Sequence, residues 1–384
     1  MFFPHLIAGP ITQPREMLPQ FSDHERFRPR LDFVALGSTI FLVGLFKKVV
    51  IADPFGAYAA PVFVAAREGG VQAFEAWGGA LAYTLQMYFD FSGYSDMAIG
   101  LGLLFGISLP LNFNSPYKAR NVIEYWSRWH MTLTRFLTAH IYNPIVMSIT
   151  RKRMTKGLPL PKRGRMTTGT FAALVAFPTL FTMLVSGVWH GAGWQFVVFG
   201  LLHGVFLIIA HAWRQWKVRR GLPLETTSLW RNGGAVLLTF FCAMIALVFF
   251  RADSVGTAVN LLQGMAGLNG VVFPQFVGLV PGGAEAIGAL GLHMGELPLF
   301  DGWLFLRIVA FLVVVWAFPN LYQWLGDYRE AIGVDVRPSG LVQRLSFARW
   351  RPSMVYGAVV GAFAVIAVLF SLSGAPSEFL YFQF

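Results

Sequence analysis

Seven long apolar stretches leave this chain few folds to choose from: Leu31 to Ile51, Trp77 to Ile107, Thr170 to Val188, Gly193 to Trp213, Ala235 to Phe250, Trp303 to Trp324 and Met354 to Leu372. A bilayer core takes about 20 apolar residues as a helix. Inside it, backbone N–H and C=O groups are satisfied only within helices or closed barrels. These stretches have helix length, so the expected fold is an all-α polytopic transmembrane bundle. Composition agrees: 55% hydrophobic and 13% charged residues, with a mean hydropathy of +0.57, lie far from the soluble average. The 384 residues have room for roughly eight to ten such helices. Trp77 to Ile107 is long enough for one tilted span and part of a second, with a polar break expected at Asp90 to Asp96. Pro116 to Thr150 mixes aromatics with Arg120, Glu124, Arg128, His130, Arg135 and His140. It reads as helix buried in protein or lying at an interface.

The net charge of +11 could suggest nucleic acid, but the basic residues cluster in short segments between apolar spans, which is the pattern of membrane topology. Residues 151–165 hold Arg151, Lys152, Arg153, Lys156, Lys162, Arg163 and Arg165 without an acid. That makes this loop cytoplasmic. Two spans on, residues 214–231 carry Arg214, Lys217, Arg219, Arg220 and Arg231 against Glu225 alone. Residues 251–302 are glycine-rich and mildly acidic, which suits an outer loop, and within them Met265 to Pro298 is either a flexible loop or a short re-entrant piece. Residues 325–353 are Arg-rich again, so the aromatic end Phe379 to Phe384 is expected at the outer interface.

A single membrane domain over 1–384 follows. It divides into a leading segment 1–30, first helices and a polar buried segment 31–150, the basic loop 151–165, helices 166–250, the outer loop 251–302 and C-terminal helices 303–384. Cys242 is the sole cysteine, which excludes an internal disulfide and argues against a thiolate metal site. The first twelve residues carry two prolines and no basic n-region, unlike a secretory signal peptide.

Ionisable groups at membrane depth are costly and mark function. Trp189-His190-Gly191 places an imidazole between two apolar spans, with Ser186, Gly187, Gly191 and Gly193 removing side-chain bulk around it so that backbone or substrate can approach closely. The competing reading is a histidine that caps a helix end. His130, in Trp126-Ser127-Arg128-Trp129-His130, sits beside a cation that would keep it neutral and able to relay a proton; a histidine merely stacked among aromatics is the alternative. His130 and His190 are 60 residues apart and can meet only in the fold. Asp90 and Asp96 in Tyr88 to Asp96 need partners, and Arg120, Arg128 or Arg135 are the expected ones. A structural role for this pair is favoured over a catalytic acid or proton relay. His203 is expected to be a packed polar residue and His211 an interfacial one. No HExxH or GxSxG occurs, which weakens metal-hydrolase and serine-hydrolase readings.

Phe3 to Ile11, Tyr88 to Asp96, Leu111-Asn112-Phe113-Asn114-Ser115-Pro116-Tyr117, Trp126 to His130 and Trp189-His190-Gly191 together resemble the signature blocks of the membrane-bound O-acyltransferases. Within that family the likeness is to the membrane subunits of bacterial alginate O-acetylation. The resemblance implies that His190 is the essential histidine, below an outward funnel joined by a tunnel to the cytoplasm, and that His130 faces the tunnel. It implies acetyl-CoA or another acyl thioester as donor, arriving from the cytoplasmic side, with no metal. The acceptor is then an exported polysaccharide, reached directly or through a periplasmic acetyltransferase, and His190 is the general base on its hydroxyl. The basic loop 151–165 is topological, or docks an acidic carrier protein or coenzyme A phosphates. A bacterial inner-membrane location among lipid, with no nucleic-acid partner, completes the expectation. The family places several helices before the Phe-Pro-His-Leu block, so an N-terminally truncated bundle is expected. A proton-coupled transporter would show repeated halves, and none is visible; a non-catalytic scaffold of a polysaccharide-modifying complex is the other alternative. A cysteine introduced within 151–165 is expected to escape a membrane-impermeant thiol reagent added outside intact cells; labelling there reverses the assigned orientation.

Overall fold

The computed structural model describes residues 3–5, 9–28, 30–161, 166–225, 227–326, 349–373 and 380. Among these residues the structure is helical apart from one pair of three-residue strands. Five stretches are long and apolar enough to cross a membrane: Leu31–Glu68, Thr168–His190, Trp194–Arg220, Leu229–Arg251 and Met354–Ser373. The protein is an all-α, multi-pass membrane protein.

After helix α1 (Pro14–Phe21), the chain runs through α2 (Leu31–Phe46), a π-helical turn at Lys47–Ala52 and α3 (Asp53–Glu68) as one apolar rod. Helix α4 (Ala73–Leu104) follows and is the axis of the fold. Its 32 residues give a helix about 48 Å long, and there is no break at Asp90 to Asp96. Most of its length is buried, polar residues included. It is sheathed by other helices, which is why its mean hydropathy understates it. Helices α2 and α4 run antiparallel through paired glycines: a Cβ at Gly44 would lie 2.6 Å from the Gly93 carbonyl oxygen, and one at Gly37 would lie 2.8 Å from that of Gly100. Small residues that let backbones touch are how membrane helices associate.

Asp90 and Asp96 of α4 are paired from the π turn, not from the arginines expected. Lys47 Nζ lies 2.6 Å from Asp96 Oδ2, and Lys48 Nζ lies 2.6 Å from Asp90 Oδ1 and 2.7 Å from Asp53. Tyr322 adds a 3.0 Å hydrogen bond to Asp96. The three arginines are engaged elsewhere or exposed: Arg128 pairs with Glu124, Arg135 with Glu16, and Arg120 is exposed. The π turn changes the helical register, and consecutive lysines reach carboxylates six positions apart on α4.

Helices α5 (Val122–Trp126) and α6 (Met131–Leu137) lie buried against α4 and its neighbours, as expected for a protein-enclosed segment. Burial stops there: a second π turn, Thr138–Tyr142, and α7 (Asn143–Thr155) contain no buried residue. Helix α7 also takes in Arg151 to Thr155, so the expected loop begins as helix; Lys162, Arg163 and Arg165 lie outside the described residues. After α8 (Thr168–Phe171) and a third π turn, α9 (Phe177–His190) and α10 (Trp194–Arg220) form a tight antiparallel hairpin. Gly187 and Gly200 face one another there, with a Cβ on Gly187 only 3.0 Å from Gly200 Cα. Helices α11 (Leu229–Arg251) and α12 (Val255–Met265) close the far side. Met265 to Pro298 is partly ordered as parallel strands β1 (Val272–Pro274) and β2 (His293–Gly295) around a short helix α13 (Gly283–Ala289). The apolar stretch from Trp303 is helical only as α14 (Gly302–Ala317), then bends into α15 (Leu321–Trp324); α16 (Met354–Ser373) follows.

Removing one partner of a buried ion pair leaves an uncompensated charge and costs about 3–5 kcal/mol. Lys48→Met is therefore expected to lower the unfolding temperature of the detergent-purified protein sharply, and adding Asp90→Leu to recover part of the loss. Equal melting of Lys48→Met and wild type would show that the pair does not hold α4.

Candidate active site

His130 and His190, distant in sequence, line one small cavity. Its walls come from α4 (Met87, Asp90, Phe91), the α5–α6 region (Trp126, Trp129, His130, Leu133), His190 of α9, Phe199 of α10, Leu247 and Phe250 of α11, and Leu380. The volume is about 30 Å³, space for about two water-sized groups. The lining is aromatic and aliphatic except for the two imidazoles and Asp90, whose Oδ2 also accepts the Leu380 backbone N–H at 3.2 Å.

His130 is set by its backbone. At φ 42° and ψ 53° it occupies the left-handed region immediately before α6, a conformation that costs a residue with a Cβ about 1–2 kcal/mol. Such strain held in a buried place points to function. The ring is buried edge-to-face against Phe91 at 4.8 Å between centroids. Its Nδ1 lies 3.0 Å from Asn112 Oδ1, while Nε2, among the described residues, is buried with no hydrogen-bond partner. Burial, then the neighbouring His190, pushes the imidazole down to about 3. Both act against a charge on the ring, and the adjacent arginine is not the cause: Arg128 is spent on Glu124 and the Asn114 carbonyl.

His190 ends α9, half-buried, with its ring edge-to-face on Phe250 at 5.0 Å and on Phe199 at 5.9 Å. The glycines around it do not clear the cavity. Gly187 seats α9 on α10 and Gly191 meets the Phe196 ring, and none of Ser186, Gly187, Gly191 and Gly193 lines the cavity. Their part is to fix the hairpin whose turn carries the histidine. His203 is packed, as expected, and has a second connection. Its Nδ1 accepts the Trp126 indole N–H at 3.3 Å, and its ring meets Phe199 at 4.8 Å. It stands behind two walls of the cavity. His211 is half-buried on α10. Asn112 lies within the Leu111 to Tyr117 block, where the sequence pattern gave it no role; its side chain gathers His130, Thr132 and Ser95. Among the described residues no three His, Cys, Asp or Glu side chains are grouped to hold a metal ion.

Residues 1–157 match the family model described as MBOAT, membrane-bound O-acyltransferase family. These residues form a membrane-bound O-acyltransferase family domain. The matched residues include Asn112 and His130 and stop short of His190. Similarity to individual proteins covers more of the chain. A peptidoglycan O-acetyltransferase of Helicobacter pylori is 42% identical over 271 residues, 70% of this chain and 46% of the relative. A probable alginate O-acetylase AlgI of Azotobacter vinelandii is 38% identical over 68% of this chain and 46% of its own length. A teichoic acid D-alanyltransferase of Streptococcus thermophilus is 27% identical over 65% of this chain and 59% of its own. The chain spans about half the length of the first two relatives it matches.

The left-handed backbone makes a direct stability test possible. His130→Gly and His130→Ala remove the same ring, but glycine adopts φ of +42° without penalty. The glycine variant is expected to be more stable than the alanine variant by about 1 kcal/mol in denaturant titration of the detergent-solubilised protein. Equal stability would mean that the backbone at 130 carries no strain.

Proposed function

We propose that this chain is an O-acyltransferase that moves an acyl group, acetyl above all, from a thioester delivered on the cytoplasmic side to a hydroxyl of an exported polysaccharide. The observation that carries the reading is the convergence of His130 and His190 on one small, mostly apolar cavity. Each imidazole in that enclosure offers a ring nitrogen that can take up a proton as a hydroxyl attacks. The balance is simple. The hydroxyl oxygen attacks the thioester carbonyl carbon as its proton passes to an imidazole nitrogen; the C–S bond breaks; the departing thiolate takes up that proton. One ester and one thiol result, and the imidazole is returned neutral.

The cavity's size supports the same reading. At about 30 Å³ it accommodates the reacting atoms and little bulk water, which limits hydrolysis of the thioester. Relatives named for peptidoglycan, alginate and teichoic acid support a cell-envelope or exported polysaccharide as acceptor, without favouring alginate. In this reading the protein lies in a bacterial inner membrane, acetyl-CoA or a carrier-bound thioester serves as donor, and a periplasmic acetyltransferase completes delivery where acceptance is indirect. The basic residues of α7, Arg151, Lys152 and Arg153, are the docking side for an anionic donor.

In cells carrying His190→Ala at wild-type membrane abundance, the O-acetyl content of the exported polysaccharide is expected to fall by about 10²–10⁴-fold, the usual worth of one positioned acid–base group. Acetylation unchanged from wild type would sink the transfer reading.

A further inference from the structure

Hydrogen-bond direction around Asn112 fixes which nitrogen of His130 carries its proton. The Thr132 backbone N–H, which can only donate, points at Asn112 Oδ1 at 3.3 Å. The Thr132 hydroxyl donates to the same oxygen at 2.8 Å, and its own oxygen accepts the Ile11 backbone N–H at 3.0 Å. On the other side of the amide, Asn112 Nδ2 donates to Ser95 Oγ at 3.2 Å. Turning the amide over would set its NH₂ against a backbone donor, so Oδ1 is the acceptor facing His130. His130 Nδ1, 3.0 Å away, must then be the N–H. A neutral imidazole has one donor and one acceptor nitrogen, so Nε2 is a bare lone pair. That atom is buried and unpartnered among the described residues, on a residue lining the cavity.

We propose that Asn112 is a positioning residue that holds His130 as the Nδ1–H tautomer, so that His130 Nε2 is the proton acceptor of this site and whatever binds beside it presents a hydroxyl, thiol or water hydrogen. This rests on the acyl-transfer reading for its consequence and on hydrogen-bond geometry alone for the tautomer. It moves the base role that the sequence attached to His190 onto His130. The ring of His190 is held only by aromatic edges in the contacts described above and is free to serve the departing thiolate or the carbonyl oxygen. In the transfer step the acceptor's O–H proton goes to His130 Nε2 while the new C–O bond forms and the C–S bond breaks. The thiolate is then protonated and His130 returns to the tautomer that Asn112 imposes.

The test uses the full chain in detergent or nanodiscs, labelled with ¹⁵N-histidine, with the His130 signals identified by their loss in His130→Gln. The expected wild-type spectrum at neutral pH shows Nδ1 protonated and Nε2 bare. Asn112→Leu removes the acceptor and is expected to give a mixture of both tautomers. Asn112→Asp offers carboxylate oxygens to His130, Thr132 and Ser95 and is expected to keep the wild-type form. O-acetylation of the exported polysaccharide in cells should fall at least about tenfold in Asn112→Leu and recover in Asn112→Asp, because a histidine in the wrong tautomer forfeits its base function. A proton on Nε2 in wild type, or full acetylation in Asn112→Leu, overturns the proposal. A wild-type protein that shows the Nδ1–H tautomer but whose deletion leaves acetylation intact would remove the transfer reading while leaving the tautomer lock standing.

Discussion

The pairing of Lys47 and Lys48 with Asp96 and Asp90 is the constraint on which the architecture turns. Two carboxylates within a buried helix are tolerable only with cations held at contact distance. The cations come from the π turn that joins α2 to α3, so the same contacts fix the depth and rotation of α4 against the α2–α3 rod. Glycines at 37, 44, 93 and 100 let the two backbones approach closely enough for those lysines to reach. Asp90 then does two things at once: one oxygen meets Lys48 and the residue forms part of the cavity wall. The electrostatic anchor of the fold and the wall of the site are thus a single residue, with Met87 and Phe91 placed beside it by helical periodicity.

Much of this was legible from hydropathy and much was not, for one physical reason. Apolar length reports what faces lipid, and it located α9, α10, α11 and α16 well. Helix α4 faces protein along most of its length, so its Tyr, Ser, Gly and Asp residues mimic a break where the helix is continuous. Its true partners were hidden because Lys47 and Lys48 stand at the end of an apolar run and read as a boundary, whereas Arg128 and Arg135 look available in sequence and are taken by the nearby Glu124 and the distant Glu16. Trp303 to Trp324 illustrates the opposite limit: continuous hydropathy carried the expectation through Phe318 to Asn320, where the helix in fact ends before α15.

The site divides along the same line. An imidazole between two apolar spans is unusual enough to be chosen without a structure, and a second one among tryptophans nearly so. Their meeting in one cavity depends on α4, the α9–α10 hairpin and α11 arriving together, which no local pattern encodes. Asn112 is the clearer omission. Its importance lies wholly in which atoms it touches 18 and 20 residues later. The glycines near His190 were expected to let backbone or substrate approach closely, and backbone is what approaches: Gly187 seats α9 on α10, as small residues in a membrane commonly serve another helix.

A cavity this small bears on specificity. At about 30 Å³ it can enclose a hydroxyl and a carbonyl but no sugar ring, so it can recognise that a hydrogen-bond donor is present and not what polymer bears it. Relatives named for peptidoglycan, alginate and teichoic acid, and for acetyl and D-alanyl groups, are each similar to this one chain over 65–70% of its length. Under the proposed acyl transfer, a centre that reads only the reacting atoms would reconcile that spread with a shared scaffold. Discrimination among acceptors would then fall to surfaces met before a hydroxyl enters the cavity, because a pocket can reject only what it touches.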